Sequence, residues 1–209
     1  MQLLKSLNWR YATKKFDSTK KVSKADIALI EEATRLSASS YGFQPYSILK
    51  IENPEIRKQL QPLSWNQAQI VDASHFYVFC SYLDFTDEMV NDFIQKKANT
   101  QNIKIDKLEG YSTFMKGKLK EKSKEEILNW TTKQTYIALA NMLAACGELK
   151  IDSCPIEGFM SEEYNKLLGL NEKGLTATVV MTLGYHAKDD HNFNMVKVRR
   201  TREELIKVI

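Results

Sequence analysis

The sequence predicts one domain of mixed helices and strands, spanning residues 1–209 and built around a single buried helix; three observations carry this. After Asn129 and Trp130 the composition changes from charged to almost wholly apolar. Tyr136, Ile137, Leu139, Ala140, Met142, Leu143, Ala144 and Cys146 leave almost no polar stripe, so a helix here is buried on most sides. The runs Tyr46–Ile51, His75–Cys80 and Ala177–Leu183 are rich in β-branched and aromatic residues and read as strands, the last two as interior ones. The 209 residues, 43% of them hydrophobic, suffice for one substantial core. A small domain seldom buries one helix so completely. Either the helix lies under a sheet or part of its face meets a second subunit, and Ala138, Ala140, Ala144 and Ala145 permit close helix approach.

In chain order, Leu3 to Trp9 is a short amphipathic turn, and Arg10 to Asp17 concentrates cations in a stretch with no periodicity. Ser23 with Asp26 forms a capping-box pattern ahead of a helix over Lys24–Arg35. The loop Ser37 to Pro45 combines small hydroxyl residues, Gly42 and a proline that is expected to force Gln44 into extended geometry. Asn53-Pro54 starts a short helix to about Leu60, with proline at the first helical position. Ser64 to Val71 carries three amides beside Trp65 and leads into the His75 strand, where His75 reads as a structural histidine.

Thr86 caps a helix containing Met89, Val90, Phe93 and Ile94, continued or frayed through the polar region to Lys107. Tyr111, Phe114, Met115 and Leu119 then recur at helical spacing on an otherwise charged segment, and Ser123 with Glu126 caps the central helix. Asp152 to Phe159 is expected to be a loop, since Pro155 stops a helix and Gly158 lets backbone approach a ligand. Ser161 is expected to cap a helix to about Leu168, followed by Gly169.

The net charge of +4 is modest and its cations are interspersed with acids, which argues against nucleic-acid or membrane binding. Cys80, Cys146 and Cys154 sit in apolar surroundings without metal-ligand spacing and read as buried, inert thiols of a reducing compartment. The start lacks a signal peptide's apolar core, so the cytoplasm is the expected location. Three stretches are candidate sites: an anion cradle at Arg10 and Lys14, the hydroxyl and backbone donors of residues 37–45, and the Pro155–Gly158 segment. Lys197 and Arg199, two apart in the tail, project to one side of an extended segment and form a second anion-binding edge.

Taken together, the motifs Arg10-x-x-x-Lys14-x-Phe16-Asp17, Ser37-x-Ser39-Ser40-x-x-x-Gln44-Pro45, Asp72-Ala73-Ser74-His75, Lys133-Gln134-x-Tyr136, Pro155-Ile156-Glu157-Gly158-Phe159 and Lys197-x-Arg199 occur in order. Over nearly its full length the chain resembles the flavin-dependent nitroreductase family, in its oxygen-insensitive NAD(P)H nitroreductase and dihydropteridine reductase branch. The resemblance implies an α+β fold with a central, mostly antiparallel sheet flanked by helices, and an intertwined homodimer with FMN at each of two interface sites.

By the same resemblance Arg10, Lys197 and Arg199 hold the FMN phosphate, with Tyr11 and Ala12 alongside, and Lys14 faces the pyrimidine edge. Ser39 and Gly42 come from the other subunit, and Ala38 and Ser40 also bind the cofactor. Asn66 bonds the ring edge, Glu157 and Gly158 bring backbone toward N5 and O4 with Pro155 and Ile156 also binding the cofactor, and Phe114 covers the substrate pocket. The implied activity is ping-pong hydride transfer from NADH or NADPH, through FMN, to a nitroaromatic, quinone or related small acceptor, with FMN rather than a side chain carrying the chemistry. Two departures stand out: Ala12 where relatives have a serine hydroxyl for the phosphate, and Gln69 where enteric members have a lysine at the ring. A noncatalytic FMN-binding or flavin-handling protein is the alternative, yellow but inactive toward NAD(P)H; a basic nucleic-acid-binding module is a third reading, with no chromophore.

Overall fold

A computed structural model describes all 209 residues. Its centre is a four-stranded antiparallel sheet in the order β1 (Tyr46–Lys50), β2 (His75–Tyr82), β4 (Leu175–Gly184), β3 (Asp152–Ile156). The helices are α1 (Gln2–Trp9), α2 (Lys24–Arg35), α3 (Pro54–Leu60), α4 (Gln69–Asp72), α5 (Asp87–Gln101), α6 (Glu109–Lys120), α7 (Lys124–Glu148), α8 (Ser161–Leu168) and α9 (Arg202–Leu205). None of them is long and apolar enough to cross a membrane.

Side-chain alternation along β2 explains the packing. Phe76, Val78 and Cys80 point to one face, where they meet Leu60, Ile70, Tyr164 and Ile156. Tyr77 and Phe79 point to the other, where they meet Ile27, Ile30, Ala138, Leu139, Met142 and Cys146. Both faces are covered, which is why β2 reads as an unbroken apolar run rather than an alternating one. A third cluster of Val90, Ile94, Ala98, Leu108, Met115 and Leu119 joins α5 to α6.

The helix starts follow local chemistry. Ser123 and Glu126 close a full capping box on α7, Ser23 caps α2 and Thr86 caps α5. Asn53 accepts from Glu55 and Ile56 at the start of α3. The central helix therefore does lie under a sheet, but only along one stripe. Ile137 is 40% exposed and Ala140 is also open.

Four expectations are corrected. Asp152–Ile156 is not a loop but the edge strand β3; proline is tolerated there because an edge strand need not donate on its outer side. The site loop shrinks to Glu157–Phe159. Gln44 is not extended but has φ of 49°, held by its own N–H on Ser39 Oγ (2.9 Å) and its Nε2 on the Arg35 carbonyl (2.8 Å). Ser161 does not cap α8. Its hydroxyl instead donates to the Ala177 carbonyl at 2.6 Å and ties the helix to β4. Leu3–Trp9 is more than a turn, forming the two-turn helix α1 that packs on α7.

Candidate functional site

Residues 10–17 run beside the free edge of β3. Ala12 bridges Ser153 in parallel, Thr13 N–H donates to the Ser153 carbonyl at 3.2 Å, and Phe16 bridges His186. This lays the N-terminal cations along the sheet edge, and the C-terminal tail returns to meet them. The Lys197 ammonium donates to the carbonyls of Leu7 and Arg10. Burial, then the Arg199 charge, lowers the Arg10 guanidinium below its ordinary pKa. Burial, then Arg10 and Arg199, does the same to Lys197. Three cations from the two ends of the chain thus repel one another, and none of the ion pairs in the structure involves any of them. Arg10 Nε is moreover buried with no hydrogen-bond partner. Buried donors are normally satisfied, so this group is arranged for an anion.

Further along the same edge, Lys14 Nζ stands 3.9 Å from Cys154 Sγ, and the buried Gln69 amide reaches the same sulfur at 4.0 Å. Gln69 and Lys14 are therefore neighbours. Trp65 and Asn66 both have positive φ, 54° and 58°. That turn lays the exposed Trp65 indole on Gly158: a Cβ added at Gly158 would stand 2.7 Å from the ring. Gln67 Nε2 donates to the Gly158 carbonyl at 2.9 Å, and Asn66 is exposed beside it. Pro155 and Ile156 end β3, and Glu157 Oε1 accepts from Tyr136 Oη at 2.5 Å. Burial, then that bond, pushes the Tyr136 phenol up to about 12, so it remains a neutral donor at physiological pH.

A second group lies elsewhere on the same chain. Ser40 N–H donates to Gln134 Oε1 at 2.8 Å, and Tyr41 packs edge-on against Phe114 with ring centroids 6.5 Å apart. Ala38, Ser39, Ser40, Gly42 and Phe114 therefore form one neighbourhood, with Phe114 52% exposed. Gln134 and Tyr136 are two residues apart on α7, which is about 200° around a helix. The Ser40 loop and the Glu157 loop consequently sit on opposite flanks of α7. Two cavities, of about 480 and 550 Å³, run along α5 and β1 and border the Ser40 loop, at Tyr41 and Gly42 in the smaller.

Trp65, Gln134 and Tyr136 carry no role in the sequence reading, although the last two stand in a motif singled out there. The signal available for Gln134 was a buried amide on an apolar helix, which needs a partner. Trp65 follows from Gly158, since a glycine in an otherwise side-chain-rich loop marks a close approach.

The nitroreductase family profile matches residues 7–185. YfkO of Bacillus subtilis, whose name as an NAD(P)H nitroreductase is itself provisional, is 36% identical over 217 residues, covering 99% of this chain and 96% of the relative. The major NAD(P)H-flavin oxidoreductase of Aliivibrio fischeri is 30% identical, covering 99% of this chain and 98% of the relative. The crystal structure of a provisionally named nitroreductase of Exiguobacterium sibiricum in complex with FMN superposes with a TM-score of 0.83 at 15% identity, over 99% of this chain and 97% of that one, and shares the α+β fold. With the profile spanning most of the chain and relatives matching it end to end, the protein belongs to the nitroreductase family.

Proposed function

We propose that this chain is an FMN-dependent NAD(P)H oxidoreductase that works as a homodimer and reduces nitroaromatics, quinones or related small acceptors. The observation that carries the reading is the uncompensated convergence of Arg10, Lys197 and Arg199 around a buried, unpartnered Arg10 Nε. A phosphate monoester, with close to two negative charges and several acceptor oxygens, is the partner that this donor set fits. When bound, FMN supplies the redox chemistry, taking a hydride from NADH or NADPH and passing two electrons to the acceptor.

The chain's own residues bind and orient. Arg10, Lys197 and Arg199 hold the phosphate, with the Tyr11 and Ala12 backbone beside them. Lys14 and Gln69 meet the pyrimidine edge, where Lys14 places a cation that favours two-electron reduction. Asn66 and the backbone from Pro155 to Gly158 border the rest of the ring. Trp65 shields Gly158 from water, and Tyr136 fixes the Glu157 side chain.

Ser39, Ser40, Gly42 and Ala38 lie across α7 from this surface, so a second copy supplies them, and Phe114 with them closes the acceptor pocket. The exposed Leu3, Leu4 and Leu7 of α1, Leu29 of α2, Leu36 just past its end and Ile137 of α7 support the same pairing, with Leu3 and Leu36 lining one groove beside Ala144 and Ala145 of α7.

The test is a purified-protein experiment: absorption spectrum, FMN per chain, mass in solution, and NAD(P)H oxidation with a quinone and a nitroaromatic. A yellow dimer with one FMN per chain and acceptor-dependent turnover is expected. Colourless protein that takes up no FMN defeats the reading. Yellow protein without turnover establishes the flavin-handling alternative, and an active FMN-loaded monomer defeats the two-chain site.

A further inference from the structure

The structure carries an unusual buried carboxylate next to the cation loop. Asp190 is 7% exposed and lies in the turn after β4. Its Oδ2 accepts from Tyr11 Oη at 2.9 Å, from Lys14 N–H at 3.1 Å and from Lys15 N–H at 3.4 Å, while Oδ1 accepts from Asn192 N–H at 3.0 Å. The turn is locked in return, with Ala187 N–H on the Lys15 carbonyl at 2.9 Å and Asp190 N–H on the Ala187 carbonyl at 3.0 Å. Phe193 closes the assembly, stacked on His186 at 3.9 Å and edge-on to Tyr11 at 6.0 Å.

What distinguishes this carboxylate is what it does not bind. Although it sits against the backbone of the cation-rich loop, Asp190 forms no ion pair, and the neighbouring Lys15 ammonium goes to Asp189 instead. Asp190 binds the backbone of the loop, so the charges of Arg10 and Lys14 stay out of ion pairs. An ion pair with either would consume the charge that an anionic ligand needs. Burial works against the ionised form, but the bonds from Asn192, Tyr11, Lys14 and Lys15 outweigh it and hold the carboxyl below the usual carboxylate range.

We propose that Asp190 is a positioning residue for the cofactor, fixing the Tyr11–Lys15 backbone so that Arg10 and Lys14 stand ready for the FMN phosphate and pyrimidine edge. The inference rests on the FMN reading above. The same contacts hold residues 186–193 against residues 10–17, and the tail that follows brings Lys197 back onto the Arg10 carbonyl.

The experiment compares wild type with Asp190→Ala and Asp190→Asn by three measurements: amide hydrogen exchange at Lys14 and Lys15 in the FMN-free protein, FMN dissociation constant by flavin fluorescence, and potential of the bound FMN by dye equilibration. Faster exchange at those two amides, FMN binding weakened by roughly 10-fold or more, and a potential shifted negative are expected. A purely structural carboxylate would lower the melting temperature while leaving affinity and potential of the folded protein unchanged, and that result overturns the proposal. If Asp190→Ala does not fold, Asp190→Asn, which keeps the shape and an acceptor, carries the same measurements. Wild-type protein that binds no FMN sinks the flavin reading and this role together; wild-type binding with unaffected variants sinks only the role of Asp190.

Discussion

Removing Arg199 separates a ligand-binding cation from a structural one, because the two roles predict opposite signs. In the chain alone, Arg199 is exposed, its one bond is Nη1 to the carbonyl of its neighbour Val198 at 2.6 Å, and its charge disfavours the charged forms of Arg10 and Lys197. Arg199→Ala therefore leaves the FMN-free protein as stable as before or slightly more so. A surface change of this kind stays within about 0.5 kcal/mol, roughly 1 °C for a chain of this length. With FMN present the variant lacks one charge-assisted bond to phosphate, worth about 1.5–3 kcal/mol, so the dissociation constant rises roughly 10- to 150-fold. Its salt dependence also becomes shallower than that of wild type, since one fewer charge is screened. Flavin fluorescence titration at two ionic strengths and thermal melts of the FMN-free protein measure both halves. A variant that melts several degrees lower yet binds FMN as wild type does would make Arg199 a structural residue and refute the phosphate reading of the tail.

Two further outcomes follow from the same geometry. Gln69→Lys adds a second ammonium beside Lys14 at a buried position, so the FMN-free protein loses stability while the potential of bound FMN rises by a few tens of millivolts, at roughly 30 mV per 1.4 kcal/mol; an unchanged or lowered potential in a folded, loaded variant places residue 69 away from the pyrimidine edge. Burial pushes the Cys80 and Cys146 thiols up to about 12 and also raises Cys154, where Lys14 opposes it, so a thiol reagent at pH 8 labels no cysteine of the native protein and all three after denaturation; one fast-reacting thiol in the folded state contradicts this packing.

Local chemistry was legible in the sequence wherever it is set by neighbours in the chain. The Ser123–Glu126 box, the Asn53-Pro54 start and the αL residue Gly169 all lie where spacing placed them. What escaped depends on partners far away. Pro155 signals a break to any local rule, and only its place at the edge of the sheet makes a strand there tolerable. Gln44 precedes a proline, and only the Ser39 hydroxyl and the Arg35 carbonyl hold it at positive φ. Asp190 sits in a polar run that reads as solvated turn, and nothing in that run announces that its carboxylate reaches back to the amides of Lys14 and Lys15.

The central helix shows why a site can be read by residue and still not by chain. Its near-absence of a polar stripe left two explanations open, a covering sheet or a second subunit; the structure shows the sheet on one stripe and leaves the other side uncovered. Ala138, Leu139, Met142 and Cys146 face the sheet, while Ile137 and Ala140 on the other side remain open. Apolar residues on the open side as well as on the sheet side erase the helix's amphipathic signature, much as burial of both faces erases the alternation of β2. The polar exceptions on that helix are then the informative ones. Gln134 and Tyr136 interrupt an apolar face because each holds a loop on a different flank, Ser40 on one and Glu157 on the other. Under the homodimer proposed above, the open side of α7 is the surface that a second copy covers, and the Ser40 and Glu157 flanks are the two surfaces that one ligand joins.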